Sequence, residues 1–225
     1  EIPTPFPRLN KLITAGKKGG FPYGALVAMG ARTGTGKSTL LMTFMLHYLM
    51  KLRLSVAYLN FEMSEAILSR RFFAGVTKGD PWRHEKYPNF DQKQALFEQV
   101  VLGWKADGLL YPRNQGSSSL DAVLGYLRSV TDKGVRVVFI DTVNRIHTPG
   151  GKGRPRWEMM IGTLQRLEQF ALDRDIIIIC ACQENREQDR RQSKQPILSD
   201  LADSSEIEKV AAVVLQLHRP LKLGS

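Results

Sequence analysis

The first candidate site is a glycine-rich segment whose residue types suit phosphate binding. Its members are Ala31, Arg32, Thr33, Gly34, Thr35, Gly36, Lys37, Ser38 and Thr39. Glycine at positions 34 and 36 lets the backbone wrap closely around a ligand, so that the amides of residues 34 to 38 can surround a β-phosphate. The usual pattern has a further glycine five residues before the Gly36-Lys37 pair, where this chain has alanine. The segment predicts a nucleotide site, and an ordinary strand-to-helix turn is the alternative.

The lysine of this segment and the hydroxyl residues after it predict individual roles. The Lys37 ammonium would reach the β- and γ-phosphates, and a hydroxyl next to the lysine would bind Mg²⁺. By position this metal ligand is Ser38, with its neighbour Thr39 as the alternative. The expected ligand is therefore a nucleotide with Mg²⁺.

A strand and a helix must position this segment. Residues 25 to 31 form an almost wholly apolar run, which is typical of a parallel strand buried on both faces. Residues 38 to 50 suit a helix, whose N-terminus offers unpaired amides and the positive end of a dipole. Strand, loop and helix together form the parts of a phosphate cradle.

Strand and helix patterns alternate along the rest of the chain. Apolar runs predict strands over residues 54 to 61, 109 to 111, 135 to 140, 176 to 182 and 211 to 217. Helical patterns cover residues 64 to 75, 91 to 104, 120 to 130 and 157 to 173, with Ser64 as an N-cap. Such alternation implies parallel crossovers and predicts an α/β fold, with a mostly parallel central sheet in three α/β/α layers.

Polar residues follow three of the predicted strands, at the edge where such sheets bind ligands. Asp141 is predicted to hold Mg²⁺ through water, or else to cap a turn. Glu62 is predicted to accept the proton of a water that attacks the γ-phosphate, or else to be a surface carboxylate. Gln183 can hydrogen-bond a γ-phosphate oxygen without a change of charge.

Composition predicts one large soluble domain. The chain has 225 residues, 43% of them hydrophobic, and no run of about twenty apolar residues. Residues 1 to 20 are predicted to be a linker, and residues 21 to 225 are predicted to form a single domain. Neither a signal-peptide layout nor a metal-ligand spacing occurs, and Cys180 and Cys182 are predicted to be buried thiols on one face of a strand. We therefore expect an intracellular protein.

Several segments together resemble the motor domain of DnaB-type replicative helicases, within the RecA-like ATPases. The nucleotide loop of that family also tends to begin with alanine, as ARTGTGKS does. NFEMSE is similar to the motif with the catalytic glutamate, which implies that role for Glu62, and VVFIDTVNRI is similar to the motif with the Mg²⁺ aspartate, here Asp141. Residues 183 to 208 resemble the segment with the sensor glutamine, here Gln183, and a DNA-facing loop.

The resemblance implies an enzyme that hydrolyses ATP with Mg²⁺ to move along single-stranded DNA and unwind duplex. It implies a homo-hexameric ring in the cytoplasm that works with a primase or a helicase loader. Two alternatives stay open: a RecA-like recombinase that forms filaments on DNA, and a nucleotide-gated DNA-binding or loading module with little turnover.

Positive charge supports a nucleic-acid partner. Lys and Arg number 32 against 22 acidic residues, and the net charge is +10. Much of it falls on two predicted loops, which carry Lys152, Arg154, Arg156, Arg186, Arg190, Arg191 and Lys194. In the resemblance these loops face the ring channel and hold phosphates without reading bases. Two solvated charged loops are the alternative.

The chain departs from the family pattern in two places. Ala202 and Ser205 stand where the family's DNA loop has arginine and glycine. The sequence ends at Ser225, before the position of the family's trans-acting lysine and arginine finger, and has no primase-interacting domain at its start. We therefore expect a motor fragment or a chain with an unusual arrangement of partners. We expect it to bind ATP but to hydrolyse it poorly at any protein concentration, with Arg219 and Lys222 as the nearest late cations.

Overall fold

A six-stranded parallel sheet forms the centre of the computed structural model, which describes residues 1–13, 19–78, 89–147, 156–183 and 204–218. Its strands are β1 (Ala25–Ala31), β2 (Val56–Asn60), β3 (Leu110–Asn114), β5 (Val137–Asp141), β7 (Ile177–Gln183) and β8 (Val213–Gln216). They lie in the order β3-β2-β5-β7-β1-β8, and every pair is parallel. Two short strands, β4 (Ser118–Ser119) and β6 (Ile146–His147), pair separately.

Most helices follow the predicted pattern, whereas the first helix lies in the segment that is predicted to be a linker. They are α1 (Pro7–Ile13), α2 (Lys37–His47), α3 (Glu65–Thr77), α4 (Phe90–Ala106), α5 (Leu120–Thr131), α6 (Arg156–Arg174) and α7 (Ser204–Val210). The predicted Ser64 cap is confirmed, because its hydroxyl accepts a hydrogen bond from the Ile67 N–H in the first turn of α3. In the described ranges, no helix has both the length and the apolar character needed to span a bilayer.

The sheet is buried on both faces, as its apolar strands predict. Along β1, Leu26 and Ala28 pack with the core that includes α5 and α6, whereas Val27 and Met29 pack with the core that includes α2, α3 and α4. This arrangement confirms the three-layer α/β/α fold. Cys180 and Cys182 lie on the same face as buried free thiols, as predicted.

The N-terminal residues pack against the domain. Ile2 is buried and pairs with Phe21 in an antiparallel bridge, and Phe6 makes an edge contact with Phe44 of α2 at 5.7 Å. The boundary between a linker over residues 1 to 20 and a domain over residues 21 to 225 stays a prediction.

The strand register brings the predicted site residues to one edge of the sheet. Asn60 at the end of β2 lies beside Asp141 at the end of β5, and Ala31 at the end of β1 lies beside Gln183 at the end of β7. Because these strands are parallel, their carboxyl ends meet where the glycine-rich loop begins.

Candidate active site

The glycine-rich loop has the backbone that a phosphate cradle requires. Gly34 and Gly36 adopt φ values of +78° and +114°, which side chains rarely tolerate. A Cβ at either position would meet no described atom within 4 Å, so open space lies beside the loop at both glycines. Helix α2 begins directly after Gly36 without a side-chain cap, which leaves its first amides available to an anion.

Lys37 crosses the inside of this loop. Its Nζ donates hydrogen bonds to the carbonyl oxygens of Ala31, at 2.5 Å, and Arg32, at 3.4 Å, and the residue is only 9% exposed. The Thr35 N–H also donates to the Arg32 carbonyl, at 3.2 Å. These bonds hold the ammonium against the turn that the sequence predicts to bind phosphate.

Asp141 is fully buried at the end of β5, and one of its carboxylate oxygens is unsatisfied. Oδ2 accepts a hydrogen bond from the Tyr58 hydroxyl at 3.1 Å. Oδ1 is buried and accepts no well-aligned hydrogen bond from the described residues, although the Ser38 hydroxyl lies close enough to stabilise the carboxylate. An unsatisfied buried group of this kind costs about 1 to 3 kcal/mol, and more when it is charged.

Four other residues of the site influence the Asp141 carboxyl, namely Lys37, Ser38, Tyr58 and Glu62. Burial raises the pKa of the Asp141 carboxyl above its ordinary value. The hydroxyls of Ser38 and Tyr58 lower the pKa, the Glu62 carboxylate raises it, and the Lys37 ammonium lowers it. The structure therefore brings the predicted phosphate, metal and proton-accepting residues into one group.

The donor set suits Mg²⁺. This ion prefers oxygen ligands and is usually held by one or two carboxylates together with water and substrate phosphates. Ser38 is half-buried near Asp141, whereas Thr39 is exposed, so the geometry favours Ser38 over Thr39 as the hydroxyl ligand. Within the described ranges, no cluster of three His, Cys, Asp or Glu residues could hold a metal by itself.

Gln183 contacts the glycine-rich loop directly. Its Nε2 donates a hydrogen bond to the Thr33 hydroxyl at 2.8 Å. Its backbone N–H donates to Asn144 Oδ1 at 3.0 Å, and the Thr142 hydroxyl donates to the same oxygen at 3.0 Å. The side chain is thus placed at the loop, while its bond to a γ-phosphate stays a prediction.

Most of the residues predicted to contact DNA are not among the residues that the structure describes. Lys152, Arg154, Arg186, Arg190, Arg191 and Lys194 lie outside the described residues. Arg156 begins α6, but its side chain is outside the described part as well. The same is true of Ala202 and of the Ser205 side chain, so these assignments stay predictions.

Sequence reasoning missed three residues that organise the site, namely Tyr58, Asn60 and Asn144. Asn60 ends a buried strand, and the rule that identified Glu62 could have identified it. Asn144 follows Asp141 closely but has no distinguishing pattern. Tyr58 gave no signal, because a tyrosine within a buried strand is ordinary core material.

Tyr58→Phe is expected to lower the free energy of unfolding by about 1.5 to 3 kcal/mol, since it removes a hydrogen bond to a buried charge. The ring contacts with Phe72 and Phe139 would remain. Urea unfolding measures the change.

Tyr126→Phe is the matched control, because the Tyr126 hydroxyl donates to the neutral Tyr111 carbonyl at 2.9 Å. That bond should contribute only about 0.5 to 1.5 kcal/mol. A loss in Tyr58→Phe no larger than in this control would contradict the importance of the Tyr58–Asp141 bond.

Comparison with known proteins gives two concordant findings at the level of sequence. A model of the family described as DnaB-like helicase C terminal domain matches residues 1–223. The replicative DNA helicase DnaB of Helicobacter pylori strain J99 is 30% identical over 221 residues, which cover 97% of this chain and 44% of that protein. The chain thus spans less than half the length of the curated relatives that it matches first.

Solved structures share the fold. One solved ATPase domain has a TM-score of 0.77 at 20% identity, covering 89% of this chain and 71% of that one. A DnaB-like replicative helicase, studied with its interactions with primase, has a TM-score of 0.76 at 19% identity. The match covers 89% of this chain and 48% of that one. These likenesses confirm the predicted RecA-like arrangement of sheet and helices.

Proposed function

Since the chain belongs to the family of DnaB-like helicase C-terminal domains, we propose that it is the motor of a replicative DNA helicase. It hydrolyses ATP to move along single-stranded DNA and to unwind duplex. The observation that carries this proposal is the buried Asp141 carboxylate, with one oxygen unsatisfied and with Lys37, Ser38 and Glu62 around it.

Each of these residues has a proposed role in ATP hydrolysis. The loop amides and Lys37 bind the phosphates, and Ser38 and Asp141 hold Mg²⁺, Asp141 through water. When bound, Mg²⁺ neutralises charge on the transferred phosphoryl group. Glu62 accepts the proton of the attacking water, and Gln183 binds a γ-phosphate oxygen.

The partners are proposed from the family. Its curated members are named replicative DNA helicases, and one solved relative was studied with primase. We extend these properties to a homo-hexameric ring around single-stranded DNA in the cytoplasm, with a primase or a helicase loader as partner.

Two measurements test the proposal against its alternatives. ATP turnover that rises when single-stranded DNA is added, even from a low basal rate, is expected for a motor, whereas a loading module would bind ATP with little turnover whether or not DNA is present. Negative-stain images should show rings, whereas a recombinase would form filaments. An absence of ATP turnover with DNA present would contradict the proposal.

The salt dependence of DNA binding tests the predicted basic loop. Arg190→Ala combined with Arg191→Ala should reduce the slope of log affinity against log salt by about 1.4, since each lost single-strand phosphate contact removes about 0.7. Fluorescence anisotropy with a labelled oligonucleotide measures this slope, and affinity should vary little with base sequence.

A control with the same change of charge is available at the amino ends of the strands, opposite the site. Lys51 and Arg53 are exposed and shortly precede β2, far along that strand from the site. Lys51→Ala combined with Arg53→Ala should leave the slope unchanged. Equal slopes for both double variants would place the DNA contacts elsewhere.

A further inference from the structure

Asn60 is a fully buried polar residue at the end of an otherwise apolar strand. It is 0% exposed at the last position of β2, between Asn114 of β3 and Asp141 of β5. Burying an amide is unfavourable unless its hydrogen bonds are satisfied. Its partners therefore indicate why the position is polar.

All four hydrogen-bonding positions of the Asn60 side chain are used. Oδ1 accepts from the N–H groups of Glu62, at 3.3 Å, and Met63, at 3.0 Å. Nδ2 donates to the Met63 carbonyl and to Asn114 Oδ1, both at 2.6 Å. An asparagine has no further capacity, and a reversed amide would turn its NH₂ group towards two N–H donors, so the network fixes the orientation.

These bonds hold the backbone on both sides of the Glu62 side chain. The turn is also tied to its neighbouring strand, because the Phe61 N–H donates to the Asp141 carbonyl at 2.6 Å. On the other side, the Gln115 N–H donates to the Asn60 carbonyl at 2.9 Å. The Glu62 side chain is exposed, so its position depends on this backbone rather than on packing.

We propose that Asn60 is a positioning residue for Glu62, and that Asn114 supports it from the neighbouring strand. Together they hold the turn so that the Glu62 carboxylate faces the water that attacks the γ-phosphate. The inference rests on the proposed function, because it takes Glu62 as the proton acceptor. A displacement of about 1 Å in a catalytic group can cost about 10²-fold in rate.

Asn60→Leu keeps the approximate size of the side chain and removes its hydrogen bonds. We expect kcat to fall about 10- to 100-fold while the Kd for ATP stays within about threefold, since the phosphate loop is a separate segment. Asn60→Asp keeps the two acceptor bonds but sets a carboxylate oxygen against the Met63 carbonyl oxygen, so it should not restore the parental kcat. Asn114→Leu removes only one bond and should lower kcat less than Asn60→Leu.

Amide hydrogen exchange gives a readout that does not depend on turnover. In Asn60→Leu the N–H groups of Glu62 and Met63 should exchange faster than in the parent, because both lose their acceptor. Unchanged exchange at both positions would overturn the inference.

Val130→Ala controls for a general loss of stability. Val130 lies in the core at the end of α5 and is 2% exposed, away from the turn. This variant should destabilise the fold while kcat and the exchange of the turn stay unchanged. Equal losses of kcat in Val130→Ala and Asn60→Leu would show that Asn60 acts only through stability.

The outcomes separate this inference from the proposed function. A parent chain without ATP turnover overturns the proposed function, and the inference with it. An active parent whose kcat is matched by that of Asn60→Leu overturns the inference alone.

Discussion

Glu62→Gln is expected to bind ATP as tightly as the parent and to hydrolyse it about 10² to 10⁴ times more slowly. Glutamine keeps the size of the side chain but cannot accept the proton of the attacking water. The residue is exposed in the turn after β2, so its replacement should not disturb the core. Steady-state turnover and equilibrium binding of ATP, measured on the same preparation, test both halves of the expectation.

Glu65→Gln is the control for this variant. Glu65 lies three residues further on, is exposed in the first turn of α3, and loses the same charge when it is replaced by glutamine. It should hydrolyse ATP at the parental rate. If Glu62→Gln hydrolyses ATP within about tenfold of the parent, the assignment of Glu62 as general base is wrong.

The features that were predictable from the sequence are those with local signals. An apolar run followed by glycines and a lysine specifies β1, the loop and the start of α2 without reference to the rest of the chain. The grouping of Glu62, Asp141 and Gln183 followed from one general rule, since parallel strands bind ligands at their carboxyl ends. Strand order was not needed for either conclusion.

Strand β3 shows where local signals fail. The sequence predicts a strand over residues 109 to 111, whereas β3 extends from Leu110 to Asn114. Pro112 and Arg113 weaken the pattern, because proline cannot donate to a ladder. Because β3 is the outermost strand of the sheet, the missing proline N–H is tolerated there. The strand is therefore specified by its neighbour β2 more than by its own residues.

The hydrogen bonds around the site depend on strand order, which periodicity does not give. Tyr58 and Asp141 are 83 positions apart, and Asn60 and Asn114 are 54 positions apart. Both pairs form because β2 lies between β3 and β5. From the sequence alone, Tyr58 is a core aromatic and Asn60 is the end of a strand.

Lys37→Ala is expected to weaken ATP binding by about 2 to 5 kcal/mol, or roughly 30-fold to several thousand-fold, and to abolish measurable turnover. The Nζ atom already lies inside the loop, bonded to two backbone carbonyls, so the ammonium is in place before phosphate arrives. Its removal leaves the phosphates without the cation inside the loop. Titration with a fluorescent ATP analogue measures the loss of affinity.

Lys51→Ala supplies the comparison, because this exposed lysine lies near the opposite edge of the sheet and its removal changes the net charge equally. It should bind ATP as the parent does. The contrast with Glu62→Gln is the stronger test, since a residue that binds phosphate must affect affinity and a proton acceptor must affect rate. Lys37→Ala with parental affinity would remove the phosphate role from Lys37. Two variants with the same loss of affinity would mean that Glu62 contributes to binding, and the separation of roles between loop and turn would then be wrong.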